Sequence, residues 1–478
     1  MAGARQRRWA PVTVPVDRPG LPQPRIAIVG AGITGLAAAY ELAGRADVTV
    51  VEATGEVGGK LRTSAIEGID VDEGAELLLA RTPEAVELAA ELGCRLVAPA
   101  TTAASVWVGG KLRPLPAGTL LGVPTRVVPV LRSRLLSPAG LARAGADLVL
   151  PRTRLPADPS VGSYVAARLG RQVVDRLVDP LLGGVYAGRA DGLSLHATVP
   201  QLAEAARGRS LLVGARAQRP SPAGGFGAPI FQTVEQGLGS FASALGRAGG
   251  ARILLNHPVT GMERTEQGWR LRTGTGRGPR GTAQLVVDAD VVVLALPGAP
   301  ASRLLRSCAP RAAAALAAIP YASVAVATFV YRDVALPPGS GFLVPASQGR
   351  LIKGATFASR KWPHLARPGL SVVRCSAGRS GEAESLQRPD RELLGVLAAE
   401  FAEATGVLAR PVAARLTRWG GALPQYRPGH ADVVAAVRES LPRGVVLAGA
   451  ALDGVGIPAC IRSARRTAGE ALDAVPVR

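Results

Sequence analysis

Three observations predict an α/β fold, α+β overall. A buried strand, a glycine turn, a helix, a second strand and an acid follow one another over residues 25–52. A second glycine turn opens a helix near the far end, after a strand at 445–449. Between them lie a basic stretch with helical patterning and a run of strand signals. Together these predict a Rossmann-type dinucleotide-binding domain with an inserted helical domain and a mixed-sheet substrate domain. The 478 residues are 47% hydrophobic and 19% charged, which excludes wholesale disorder and suits two or three domains.

Residues 1–24 are rich in proline and arginine and carry no helical period, so a disordered arm is expected there. Arg5, Arg7 and Arg8 precede no apolar run of the length an export signal needs. Residues 25–29, RIAIV, read as a fully buried parallel strand. Gly30-Ala31-Gly32-Ile33-Thr34-Gly35 follows, then a helix through Ala43 and a strand at Val48–Val51 ending in Glu52. In this spacing Gly30 makes the tight turn, Gly32 lets the backbone approach a pyrophosphate, and Gly35 lets helix and strand pack closely. The helix N-terminus offers free N–H groups to phosphate, and Glu52 can accept hydrogen bonds from ribose hydroxyls. A Gly58-Gly59 pair comes next, and Lys60 or Arg62 behind it can meet phosphate oxygens. Asp72-Glu73-Gly74-Ala75-Glu76 is expected to close a hairpin-like turn.

Residues 111–220 hold 16 Lys and Arg against 6 Asp and Glu, about half of the chain's formal charge of +20. Helical patterns at Val161–Leu169 and Val173–Leu182 predict an inserted helical domain there. Its charge suits a membrane surface or an acidic ligand, or forms a solvated face. A helix is expected over Phe231–Arg247, strands over Ile253–Val259 and Gly268–Thr273, a turn at 274–281, and one buried strand over Leu285–Leu296. The uncharged stretch 312–331 has a membrane helix's length. Pro320 interrupts it, and branched and aromatic residues follow, so a helix ending near Ile319 and a buried strand are expected. Further strands are expected at Phe342–Val344, Leu351–Phe357 and Leu370–Ser376, with a helix from Arg391 to Thr405. The expected division is an arm (1–24), dinucleotide-binding parts at 25–110, 221–300 and 416–478, the helical insert (111–220) and the sheet domain (301–415).

Val445–Gly449 reads as a last buried strand, leading into Asp453-Gly454-Val455-Gly456-Ile457-Pro458 and a helix. A glycine turn with proline at the helix start aims N–H groups at something anionic. In a flavoprotein the target would be the flavin edge that becomes negative on reduction. Cys94, Cys308, Cys375 and Cys460 form no CxxC, and His196, His257, His364 and His430 form no ligand-spaced pair, so no metal site is predicted. No paired-carboxylate or Ser/His/Asp arrangement is evident, and no catalytic side chain is named.

The segments GAGITGLAAAYEL, VEATGEVGGKLRT, VDPLLGGVYAG, SLHATVP, RKWPH, LPQYRPGH and GVGIPACI together resemble the oxygen-dependent porphyrinogen oxidases, within the FAD-dependent amine oxidase superfamily. The resemblance runs almost the whole chain from Arg25. It implies FAD contacts at Gly30, Ala31, Gly32, Ile33, Thr34 and Gly35, at Glu52 and Ala53, and at Gly59 and Lys60. Further implied contacts are Gly74, Ala75, Glu76 and Leu77, the Val259 backbone, Trp419, and Val455, Gly456 and Ile457. It also implies oxidation of a porphyrinogen by six-electron removal, with oxygen returning the flavin to its oxidised form. Similarity to the Gram-positive type implies coproporphyrinogen III as substrate. Protoporphyrinogen is the alternative, and an amine oxidase or carotenoid desaturase a more distant one. The implied partners are the porphyrinogen and O2, with no nucleic acid, a peripheral membrane contact and a downstream haem-pathway enzyme. The implied location is the cytoplasm or the inner face of its membrane. Four propionates on coproporphyrinogen suit a basic cavity, for which Lys60, Arg176, Lys353 and Arg360 are candidates. Tyr186, His196 and Tyr426 lie in family-like motifs and read as structural. The chain departs from the family pattern at Gly74–Leu77, in its arginine-rich start, and at Ala464.

Overall fold

The computed structural model describes residues 23–153, 156–218, 229–274 and 284–476. Strand β1 (Arg25–Val29), helix α1 (Ile33–Leu42) and strand β2 (Asp47–Val51) begin a five-stranded parallel sheet. Its order is Arg252–Leu254, β2, β1, Val291–Leu294, Val445–Leu447. Both faces are covered. Ile26 and Ile28 pack with α1 and the helices Leu238–Ala248 and Ile457–Asp473, while Ala27 and Val29 pack with the helices Gly298–Leu305 and Pro310–Ala317. Two-sided burial is why RIAIV shows no polar alternation.

Several expected elements divide in the structure. The apolar run 285–296 forms two strands: Val286–Ala289 in an antiparallel three-stranded sheet, and Val291–Leu294 in the parallel sheet. Asp290 marks the change. Its buried carboxylate accepts from Arg25 N at 2.8 Å and from the Arg25 guanidinium at 3.1 Å, fixing the chain where it leaves one sheet for the other. The strand expected over 253–259 divides likewise into Arg252–Leu254 and Val259–Thr265, because the chain turns at 255–258. Phe231–Val234 is a strand rather than helix; it pairs with Leu78–Leu79 and Leu96–Val97, and the helix starts at Leu238 after Gly237. The turn expected at 274–281 and the arm at 1–24 lie almost wholly outside the described residues.

Helices dominate between Val127 and Ala217 around one apolar core. Val161–Leu169 is helical as expected. Arg171–Tyr186 is one helical run with a widened turn at Val174–Val178, then helix α2 (Asp179–Tyr186). Pro180 explains the widening: its ring would clash with the Arg176 carbonyl in a regular helix, and it has no N–H to donate. Not every arginine here is a solvated face. Arg168 is buried, donates to the Asp147 carboxylate at 2.5 Å and to the Pro151 and Arg209 carbonyls, and ties the 147–151 segment to the chain at Arg209. No described helix is long and apolar enough to cross a membrane.

Strands β3 (Ser105–Val108), β4 (Lys111–Pro114), β5 (Tyr321–Arg332), β6 (Gly341–Leu343), β7 (Ile352–Phe357), β8 (Leu370–Ala377) and β9 (Ala413–Pro424) form a seven-stranded mixed sheet. Its order is β9-β5-β8-β7-β6-β3-β4. The expected boundaries at 110/111 and 415/416 therefore fall inside its pairings. Helix α3 (Asp390–Thr405) covers one face through Leu393, Leu397 and Phe401, which recur every four residues on one side of the helix. These meet Phe329, Tyr331, Phe342 and Phe357. The opposite face carries Val324 and Val326 of β5, and Arg374 of β8 reaches from the sheet to the segment beyond Asp72.

Candidate functional site

The turn between β1 and α1 is built by close backbone approach. A Cβ on Gly35 would lie 1.9 Å from the Gly30 carbonyl oxygen, so only glycine lets α1 start this near β1. Gly32 caps α1 and has open space around the position of its absent Cβ, leaving the helix N-terminus uncovered. Glu52 closes the turn: its carboxylate accepts from Ala31 N and from Thr54 N, both at 2.8 Å. Ala53 beside it is exposed. Gly58 N donates to Ala31 O at 2.7 Å, and a Cβ on Gly59 would meet Gly32 Cα at 3.2 Å. Ile33 packs into the core beneath. Val259 stands two residues beyond His257, whose N–H donates to Glu52 O at 2.8 Å.

The hairpin Thr63–Ile66/Ile69–Asp72 is closed by Glu67 and Gly68, not by residues 72–76 as expected. Residues 73–77 instead run from the hairpin toward the seven-stranded sheet. Ala75 N donates to Lys60 O at 3.2 Å, and Trp419 Nε1 donates to Glu73 O at 3.0 Å. A Cβ on Gly74 would lie 3.1 Å from the Trp419 ring. Glu76 is held between the Lys361 ammonium and the Arg374 guanidinium, which also donates to Gly74 O at 2.8 Å. Burial opposes the charge on Glu76, but the two cations outweigh it and hold the carboxyl at about 2. Leu77 packs with Ile69, Val330 and Trp362.

At the other end, Gly456 (φ +116°) caps helix α4 (Ile457–Asp473), with no atom within 4 Å of where its Cβ would stand. α4 packs against α1, so the two helix starts come together. The Cys460 thiol meets the Thr34 hydroxyl there, and burial pushes that thiol up. Gly449 N donates to Ser463 Oγ at 2.9 Å, and Ser463 in turn donates to Asp453, which pairs with Arg438 and Arg466. Tyr426 lies behind the 454–457 turn and accepts from Gly454 N at 3.0 Å.

The structure brings together the 30–35 turn, Glu52, Gly59, Lys60, the 74–77 segment, Trp419 and the 455–457 turn. Two uncovered helix starts, an acid at the end of the second strand and a glycine-lined floor fit a dinucleotide with a ring system at one end. A family model described as flavin containing amine oxidoreductase matches residues 33–472. The chain belongs to the flavin-containing amine oxidoreductase family. Its relatives in this family include a Mycobacterium leprae protein named coproporphyrinogen III oxidase, 39% identical over 461 residues, covering 94% of this chain and 98% of that one. A Bacillus subtilis protein of the same name is 30% identical over 471 residues, covering 94% and 97%. The solved structure of an Exiguobacterium sp. 255-15 protein, assigned as a protoporphyrinogen oxidase, superposes with a TM-score of 0.83 at 31% identity, covering 95% and 99%. As a family member the chain is a flavin-dependent oxidoreductase.

The expected cations are distributed unevenly. Lys60 donates to Ala422 O, and burial lowers its pKa; Arg62 pairs with Glu56 and Glu73. Neither side chain is free for phosphate as the chain stands. Arg176 donates to Leu135 O at 2.7 Å and Arg360 to Leu336 O at 3.1 Å. Lys353 alone of the four candidates has no hydrogen-bond or ion-pair partner among the described residues. Tyr186 donates to Thr198 O at 3.1 Å, and His196 is exposed. Sequence reasoning missed the Lys361–Glu76–Arg374 cluster. Its one signal in the sequence was an acid, Glu76, set between Ala75 and Leu77.

Proposed function

We propose that this chain binds FAD and carries out the oxygen-dependent, six-electron oxidation of coproporphyrinogen III to coproporphyrin III. The near-full-length similarity to proteins named coproporphyrinogen III oxidase, at up to 39% identity, carries this reading. The glycine turns, Glu52 and the two helix starts support it by offering a place for the cofactor. When bound, the flavin accepts hydride, and three O2 molecules reoxidise it in turn, giving three H2O2 per porphyrin formed.

The chain's own residues bind, orient and shield. The backbone of Gly30 to Gly35 faces the pyrophosphate, and Glu52 with Ala53 takes the ribose end beside Val259. Gly59, Lys60, the Gly74–Leu77 segment and Trp419 form the wall along the ring system. The Val455, Gly456 and Ile457 turn offers N–H groups to the ring edge that becomes electron-rich. Gly184 leaves α2 without a side chain toward β6, where a Cβ would meet only Leu343, at 3.8 Å, and a Cβ on Gly183 would meet only Gly188 O, at 3.7 Å. That bare helix face suits a flat macrocycle laid against the sheet.

Peripheral contact with the inner face of an anionic membrane, by an otherwise cytoplasmic protein, is part of the proposal. Val127, Val128 and Leu131 are exposed on the helix Val127–Ser133, flanked by exposed Arg126, Arg132 and Arg134. Apolar anchors within a basic rim suit a headgroup boundary. There the product could pass to the next haem-pathway enzyme.

Protoporphyrinogen IX is the second reading, favoured by the assignment of the Exiguobacterium protein. Initial rates with both porphyrinogens, prepared anaerobically and read by porphyrin fluorescence in air, separate the two. A kcat/KM higher by about tenfold for coproporphyrinogen III, falling with salt, is expected. The reverse order would overturn the substrate. Absence of fluorescence from either, with a reducible flavin bound, would overturn the reaction.

A further inference from the structure

A buried ammonium is normally paired, because removing its water without a replacement is costly. Lys353 on β7 breaks that pattern. It is only 7% exposed and its ammonium, which keeps some accessible surface, is reached by no carboxylate or carbonyl among the described residues. The other buried cations of this region each have partners, although Arg374 Nε is left without one. Lys361 and Arg374 share Glu76, and Arg379 donates to the carbonyls of Arg350, Val344 and Ile352 and approaches Glu382 at 3.5 Å. The charged neighbour acting on Lys353 is Arg379, of the same sign. A buried lysine with a like-charged neighbour and no counter-ion is a place for an anion.

The position of Lys353 relates it to the flavin site. β7 bulges at Lys353, between Ile352, which pairs with Ala377, and Gly354, which pairs with Ser376 of β8. Two residues along β8, Arg374 donates to Gly74 O in the wall of the site. Lys353 O accepts from Val344 N at 2.9 Å, next to Leu343, the residue that faces Gly184 of α2. Ser380 N donates to Ala187 O at 2.7 Å, closing the end of α2 onto the same corner. Lys353 therefore stands where the bare face of α2, the sheet and the cofactor wall meet.

We propose that the Lys353 ammonium receives a propionate carboxylate of the bound porphyrinogen, with the bulge in β7 placing it at the junction of α2 and the sheet. The proposal rests on the porphyrinogen reading above. Burial, with help from Arg379, lowers the lysine's pKa to about 7, and an arriving carboxylate restores its charge.

The test uses flavin-loaded wild type, Lys353→Met and Lys353→Gln, each checked for flavin content. Both variants are expected to raise KM for coproporphyrinogen III by at least about tenfold, with kcat within about twofold of wild type. Coproporphyrin III binding, read by fluorescence titration, should weaken by a similar factor. Binding of the same porphyrin esterified on all four propionates should change less than about twofold. A flavin-loaded variant with wild-type KM, or equal weakening of acid and ester, overturns the proposal. A flavin-loaded wild type that oxidises neither porphyrinogen overturns the reading beneath it, and the proposal with it.

Discussion

The Tyr426 hydroxyl donates to Ala450 O and accepts from Gly454 N at 3.0 Å, so one phenol fixes both limbs of the loop that leads into α4. The ring is clamped by His430, stacked at 4.0 Å, and by the edge of Tyr186 at 6.0 Å. Burial pushes the phenol's pKa well up and keeps it a donor. The LPQYRPGH segment thus acts on the 455–457 turn from behind it.

Tyr426→Phe leaves the Gly454 N–H and the Ala450 carbonyl without this partner. An expected loss of about 1 kcal/mol follows from stranding two partly buried polar groups. Flavin release on heating, followed by flavin fluorescence, should move to lower temperature with it. An unchanged release temperature would show that the turn holds its shape without the tyrosine.

Gly32 and Gly35 should fail differently. Open space surrounds the absent Cβ of Gly32, so Gly32→Asp should fold, yet put a carboxylate at the α1 N-terminus where pyrophosphate is expected. The variant should purify colourless, with a circular dichroism spectrum like that of flavin-stripped wild type. Gly35→Ala forces a methyl to 1.9 Å from Gly30 O and should lose fold stability as well as flavin. A yellow Gly32→Asp protein would move the pyrophosphate elsewhere.

Glu76 is the shared counter-ion of Lys361 and Arg374. Glu76→Gln keeps the shape and removes the charge, leaving two largely buried cations facing each other. Breaking a buried pair in this way costs about 3–5 kcal/mol. The group's pKa is lowered, so its stabilising charge is complete above the ordinary 4.5 and is lost as pH falls toward about 2. The gap between variant and wild type in chemical denaturation should therefore be widest near neutral pH and close in acid. A gap independent of pH would point to lost packing instead.

What the sequence discloses here depends on how local the physics is. The β1–α1–β2 unit was legible because its two-sided burial, glycine turn and acid all lie within 28 residues. Pro320 disclosed the break between the helix Pro310–Ala317 and β5 for the same reason. The run VVDADVVVL hid a change of sheet, since strands in either sheet are apolar and only the reach of Asp290 back to Arg25 separates them. The Glu76 cluster joins residues 285 and 298 positions apart, beyond any periodicity. Nor could sequence tell that Lys60, Arg176 and Arg360 are engaged within the chain while Lys353 is not.

Asp72 gives the opposite pH signature to Glu76. It is buried, and burial raises its carboxyl to about 6 despite hydrogen bonds from Thr63 Oγ1 at 2.5 Å and Leu238 N at 2.9 Å and the nearby Arg374 charge. With the unfolded group near its ordinary 3.8, the unfolded chain ionises first as pH rises. The folded state therefore loses stability between about pH 4 and 6, and the penalty is complete above that. Both donors meet the same oxygen, Oδ1, so the amide oxygen of Asp72→Asn can accept both while the uncharged NH2 replaces Oδ2. Relative to wild type, the variant should gain on the order of 2–3 kcal/mol between about pH 4 and pH 7. Urea denaturation at several pH values measures this directly. Parallel stability curves across that range would mean that Asp72 ionises as easily in the folded chain as in the unfolded one, with Arg374 offsetting its burial.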